Sequence, residues 1–168
     1  MMKKNDVHKY WFSRIFPYFV FFLASSFYIY EFLMRVMPSA MIDPLMRSFH
    51  LNAQSFGIIA SLFYYGYTPM QIPAGLLYDR IGPRWLLSTS TLICALSGLI
   101  FCHAHSVALA GLARFLIGFT ASFAFIGALL IAARWFPPHR FAFFAGLVQL
   151  LGCIGAIIGE SPIAACVK

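Results

Sequence analysis

Glu31 and Arg35 stand four residues apart in a run that is otherwise apolar, and Arg114 stands alone in another. Four residues is about one helical turn, so acid and base share a face, with the acid first, the favourable order. A charged side chain at the centre of a bilayer costs about 2.5–3.5 kcal/mol on insertion scales, and less near an interface. An exposed pair at this spacing contributes only about 0.2–0.5 kcal/mol, and a drier setting raises that without clearly offsetting insertion. Two readings stay open: a buried pair that only neutralises itself, or a pair presented to a water-filled cavity where substrate or protons bind. The second is preferred. Arg114 has no acid nearby in sequence, and Gly118, Ala121 and Phe125 continue its face with small residues that leave space. The expectation is a triad of Glu31, Arg35 and Arg114 whose surplus positive charge receives a carboxylate or phosphate.

A third run carries F-Y-Y-G-Y-T-P-M-Q-I-P, with Tyr64, Tyr65, Tyr67 and Gln71 bringing polar tips to mid-span. Pro69 and Pro73 each remove an amide donor and should bend a helix, loosening carbonyls from about residue 65 onward. Some of these side chains are expected to line the same cavity. Their rotation about the helix axis is not fixed by sequence.

These groups must be held by elements suited to lipid. Of 168 residues, 61% are hydrophobic and 10% charged, with 19 phenylalanines, and the mean hydropathy is +0.82. Outward faces this apolar cannot meet water, so an all-α membrane protein follows, since open strands would leave amides unpaired in hydrocarbon. Five spans are expected, at about 15–37, 51–78, 85–102, 107–133 and 141–163, after an N-terminal segment 1–14. The basic start and the small residues Ala24, Ser25 and Ser26 raise the alternative of a cleaved leader, but the apolar run continues past them.

The net charge of +7 is dispersed between the apolar runs, with no continuous basic stripe, so nucleic acid is not an expected partner. Lys3, Lys4, Lys9, Arg14, Arg80, Arg84, Arg134 and Arg140 fall on one side of the expected topology, against Arg47 and Lys168 on the other. That bias places the N-terminus in the cytoplasm, in a plasma or bacterial inner membrane. Cys94, Cys102, Cys153 and Cys166 lack metal-ligand spacing, and the His103–His105 pair reads as a solvated turn, so neither a metal nor a cofactor is expected.

The second and third spans are joined by G-L-L-Y-D-R-I-G-P-R, residues 75–84. Gly82 suits the αL position closing one helix, and Pro83 the first turn of the next. Gly75 is expected to let another backbone approach. Arg80 and Arg84 set topology. Asp79 does not, and at the hydrocarbon edge it needs a specific partner, with Arg134 and Arg140 the candidates.

The pattern Gly75, Leu77, Asp79, Arg80, Gly82, Arg84 resembles the loop between helices 2 and 3 of the major facilitator superfamily, although Pro83 stands where a basic residue is usual. Arg114 and Gly118 resemble that family's R-x-x-x-G element on helix 4, and R-W-F-P-P-H-R its basic 4–5 loop. The resemblance implies twelve helices in two halves, alternating access across a bilayer, and a cytoplasmic gate built on Asp79 and its basic neighbours. It covers the first five helices, so the chain is expected to be a truncated product or fragment that lacks its C-terminal half and does not transport alone.

The implied function is secondary transport, as proton-coupled uptake of a small organic anion or zwitterion, with Arg114→Ala and Arg114→Lys both expected to abolish it. An inactive remnant or non-transporting membrane subunit is the alternative. Drug efflux is a further one, weakened because helix 5 lacks the Gly-Pro typical of drug antiporters and carries Pro162 after its glycines instead. No enzyme is expected. Gly152, Gly155 and Gly159 read as a close-packing face on the fifth helix, left without the helix of the missing half that it would normally meet.

Overall fold

The computed structural model describes residues 4–40, 42, 46 and 52–166, with side chains from Ile15 to Glu160 among them. Lys3, Arg47 and Lys168, used above for topology, lie outside the described residues, as do the side chains of Pro162 and Cys166.

Among the described residues five long helices follow one another: α1 (Lys4–Ala40), α2 (Ala53–Ile81), α3 (Pro83–Cys102), α4 (Val107–Trp135) and α5 (Phe141–Cys166), with a 3-10 turn at Pro138–Arg140 before α5. Asn52 caps α2 by accepting from the Ser55 amide, and Ser106 caps α4 by accepting from that of Leu109. His103 closes α3 from its side chain, Nδ1 lying 3.0 Å from the Leu99 carbonyl. α2 runs unbroken through Pro69 and Pro73.

Four described helices are long and apolar enough to cross a membrane: Ile15–Ala40 of α1, then α3, α4, and Pro138–Glu160 around α5. α2 has the length, at 29 residues, but its tyrosines, prolines and Gln71 dilute its apolar content. The outer surface carries Leu23, Ile72 and Phe143 at 63%, 82% and 68% exposure, a face suited to lipid rather than water.

α4 is the hub and packs against every other long helix. It is apolar all round, as a fully surrounded helix should be, and its alanines and glycines let neighbours come close. At Gly118 a Cβ would overlap the Phe63 carbonyl of α2, and at Gly66 one would overlap the Phe115 carbonyl of α4. The two glycines thus form a reciprocal backbone contact. At one end of the bundle, Phe21, Phe136 and Phe144 stack in a cluster closed by Tyr18.

Two expectations about glycine change. Gly152, Gly155 and Gly159 face α1 of this same bundle: Cβ atoms there would meet the Tyr28 ring, the Ile29 carbonyl and the Leu33 carbonyl in turn. Three glycines at near-helical spacing let α5 lie backbone against backbone on α1, so this face already has its helix. Gly75, by contrast, has nothing within 4 Å among the described residues.

Candidate functional site

α1 carries the acid and base on one face. Glu31 Oε1 lies 2.6 Å from Arg35 Nη2, with the Glu31 side chain fully buried and that of Arg35 19% exposed. The approach is close but poorly directed, and neither Glu31 oxygen receives a well-formed hydrogen bond. Arg35 is held largely by rings. Its guanidinium carbon sits 4.6 Å from the centroid of Phe32, 5.2 Å from Phe63 and 4.6 Å from Tyr67, which is cation–π range.

Arg114 enters from α4 and is 3% exposed. Its guanidinium carbon lies 5.1 Å from the same Phe63 ring. Phe63, fully buried, therefore contacts both guanidiniums, and Gly118 explains how. By admitting the α2 backbone one turn beyond Arg114, it brings that ring within reach of both cations. Stacking of Phe63 on Tyr67, with centroids 5.7 Å apart and planes 17° off parallel, fixes the ring's tilt.

The three expected charges do converge, but not as a closed triad. Among the described residues Arg114 pairs with no acid. Nη1 donates to the Met34 carbonyl at 2.7 Å, Nη2 lies 3.5 Å from the Arg35 carbonyl, and Nε is buried without a partner. The α1 backbone offers acceptors closer than the Glu31 carboxylate, which Arg35 already occupies.

Along α2, Tyr64, Tyr67 and Gln71 share one stripe at helical spacing, with Tyr64 exposed and the other two half-buried. Tyr64 is near enough to interact electrostatically with both guanidiniums. Tyr65, 69% exposed, lies about 100° round the helix from Tyr64 and leaves this stripe. Sequence reading did not single out Phe63 or Tyr28. The Tyr28 hydroxyl donates to Gln149 of α5 at 3.2 Å, linking α1 to α5 just below the charges. The only sequence hint for Phe63 was its place four residues before Tyr67.

A second polar site lies at the end of the bundle where α2 turns into α3. Gly82 alone makes the turn, at φ 88° and ψ 156°. This is not αL but the extended region at positive φ that glycine occupies almost exclusively, because Pro83 must start α3 at once and the chain reverses in one residue. Tyr78, buried behind the turn, donates to the Phe123 carbonyl of α4 at 2.7 Å. Gly127 makes room for it, since a Cβ there would overlap the Tyr78 hydroxyl. Asp79 takes Arg134 as partner, its Oδ1 accepting from Nη2 at 3.1 Å, both side chains well exposed. Arg140, the other candidate, is not part of that pair. Arg80 and Arg84 are exposed beside it.

Comparison with known proteins adds a family and three relatives. A family model described as Major Facilitator Superfamily matches residues 17–167. The uncharacterized transporter YybO of Bacillus subtilis is 33% identical over 142 residues, covering 84% of this chain and 33% of that protein. The probable galactarate/D-glucarate transporter GudP of Pseudomonas putida is 35% identical over 102 residues (57% of this chain, 22% of that one). The probable sulfoacetate transporter SauU of Cupriavidus necator is 29% identical over 116 residues (68% and 27%). The chain thus spans about a third or less of the length of these relatives.

Proposed function

This chain belongs to the major facilitator superfamily, and we propose that it supplies the first five helices of a secondary transporter for small organic anions. As a member with four helices apolar enough to span a bilayer, it is a multi-pass integral membrane protein. One observation carries the substrate class. The Arg35 side chain, beside Tyr67 of the Tyr64–Tyr67–Gln71 stripe, keeps 19% of its surface exposed, while its counter-ion Glu31 is fully buried. An anion entering along that stripe meets the cation before the acid. Relatives named for galactarate, glucarate and sulfoacetate, all small acids, agree with this reading.

Glu31 gives the reading a coupling ion. A proton on its carboxylate would release Arg35 from its intramolecular partner and leave the guanidinium for a substrate carboxylate. Loss of that proton would restore the pair and eject the anion. Proton-coupled uptake follows, with substrate and proton sharing one arginine.

The second site fits a cytoplasmic latch. An exposed ion pair is worth about 0–1 kcal/mol, weak enough to open and close with each cycle, and its basic neighbours favour the cytoplasmic side.

The test is uptake of radiolabelled galactarate and sulfoacetate by proteoliposomes of the complete transporter, with the pH gradient imposed or collapsed. Truncating one partner of a buried charge pair costs about 2–5 kcal/mol, so Arg35→Gln should lower substrate affinity at least about thirtyfold. Uptake by Arg35→Gln with an unchanged concentration dependence would overturn the assignment.

A further inference from the structure

The two hydrogen bonds that Arg114 makes both go to the α1 backbone, and Pro38 explains the shorter one. Within a helix the carbonyl of residue 34 accepts from the amide of residue 38. Residue 38 is a proline inside α1, which has no N–H and whose ring presses on that carbonyl. Met34 is thus left with an open acceptor in a part-buried position, and such a group needs a partner from outside its own helix. Arg114 Nη1 lies 2.7 Å from that oxygen, and Nη2 lies 3.5 Å from the next carbonyl, that of Arg35 itself. The prolines of α2 offer a contrast. Pro69 and Pro73 release the carbonyls of Tyr65 and Pro69 in the same way, and no side chain among the described residues donates to either.

We infer that Arg114 is a positioning residue: it replaces the hydrogen bond that Pro38 removes from α1 and so fixes the backbone from which Arg35 reaches the anion. The same guanidinium backs the Phe63 ring, whose other contact is Arg35. Arg114 therefore sets Arg35 twice, through the Arg35 carbonyl and through the Phe63 ring that both guanidiniums contact. This departs from the sequence reading of Arg114 as a direct ligand. It rests on the proposal that Arg35 is the anion-facing cation.

The test is a rescue. Arg114→Gln, Pro38→Ala and the double variant are made in the complete transporter, and each is assayed for thermal unfolding in detergent without substrate and for galactarate uptake in proteoliposomes. A hydrogen bond to a charged group is worth about 1.5–3 kcal/mol, so Arg114→Gln should lower turnover about tenfold to a hundredfold and lower the unfolding temperature. Pro38→Ala returns an amide to the Met34 carbonyl, so the double variant should recover most of both losses. A double variant as impaired as Arg114→Gln in both assays overturns the inference, because a lost substrate contact is not restored by a backbone amide. Should Arg114→Gln fail to fold, recovery of folded protein by adding Pro38→Ala supports the inference. If neither accumulates, Arg114→Lys decides. It keeps one donor for the carbonyl, so a KM near that of the unaltered protein supports a positioning role, and a KM raised as far as that of Arg35→Lys refutes it. Rescue of unfolding temperature needs no substrate. It can therefore succeed even where galactarate uptake is absent, which would count against the transport reading alone.

Discussion

Two ion pairs stand among the described residues, and they differ in almost every physical respect. Glu31–Arg35 is 2.6 Å long, within one helix, with its acid fully buried. Asp79–Arg134 is 3.1 Å long, joins α2 to α4, and is largely open to solvent. Burial makes the first pair costly to form and costly to break, since removing one member strands an uncompensated charge. Exposure makes the second cheap in both directions. The contrast suits a site that must bind against one that must let go. It also shows where stability and function should separate: altering the inner cluster should disturb both, and altering the outer pair mainly the cycle.

The sharpest way to break this contrast is to remove the buried acid. Glu31→Ala leaves Arg35 against three rings with no counter-charge, a loss of about 3–5 kcal/mol for a buried pair. A drop in detergent unfolding temperature no larger than that of an Asp79 variant would show that the inner pair is effectively solvated, and the distinction would fail. Gly118→Ala should come next. Its new Cβ overlaps the Phe63 carbonyl, and overpacking of this kind costs about 1–3 kcal/mol. Because Phe63 contacts both guanidiniums, the substitution should also weaken anion binding. An unchanged KM alongside lost stability would separate helix packing from the site.

Much of this arrangement was legible in the sequence, and what escaped has a physical cause. Long apolar runs fixed the helices because lipid leaves the backbone no alternative. The Glu31–Arg35 pair was readable because both residues lie on one helix, where spacing alone dictates contact. Arg114 was readable as an anomaly but not by its partners, which are main-chain carbonyls of another helix, one of them freed by Pro38. Likewise the α5 glycines announced a close contact without saying with which helix. Period tells which face packs, and tertiary arrangement tells against what. Phe63 gave no polar signal at all, and its role comes from where Gly118 lets it sit. At Gly82 the need for a glycine was evident. Its ψ of 156° depended on how abruptly α3 begins.

A smaller effect tests the boundary between the two regions. Tyr78 is buried close behind the exposed pair and donates to the Phe123 carbonyl. Tyr78→Phe keeps the ring and removes one hydrogen bond, a loss of about 0.5–1.5 kcal/mol. Read by unfolding temperature, it should fall between the Gly118 and Asp79 variants. A loss as large as that of Glu31→Ala would mean that the Asp79–Arg134 end, not the charged middle, anchors α2 to α4.

Asp79→Asn should perturb the fold least and the cycle most selectively. The Arg134 guanidinium can keep a neutral acceptor in the amide oxygen, and the pair it replaces is worth only about 0–1 kcal/mol in solvent. Unfolding temperature should therefore hardly move. If this pair closes one face of the protein during each cycle, the resting distribution of states should shift instead, because a weak bond broken once per cycle still biases an equilibrium by its full energy. Uptake by Asp79→Asn should then show a lower maximal rate with a nearly unchanged KM, and an added Arg134→Gln should do no further harm, since the contact is already lost. Additive losses from the two substitutions would mean that Asp79 and Arg134 act on separate partners. A rise in KM with an unchanged rate would place Asp79 on the binding side of the comparison, with Glu31 and Arg35.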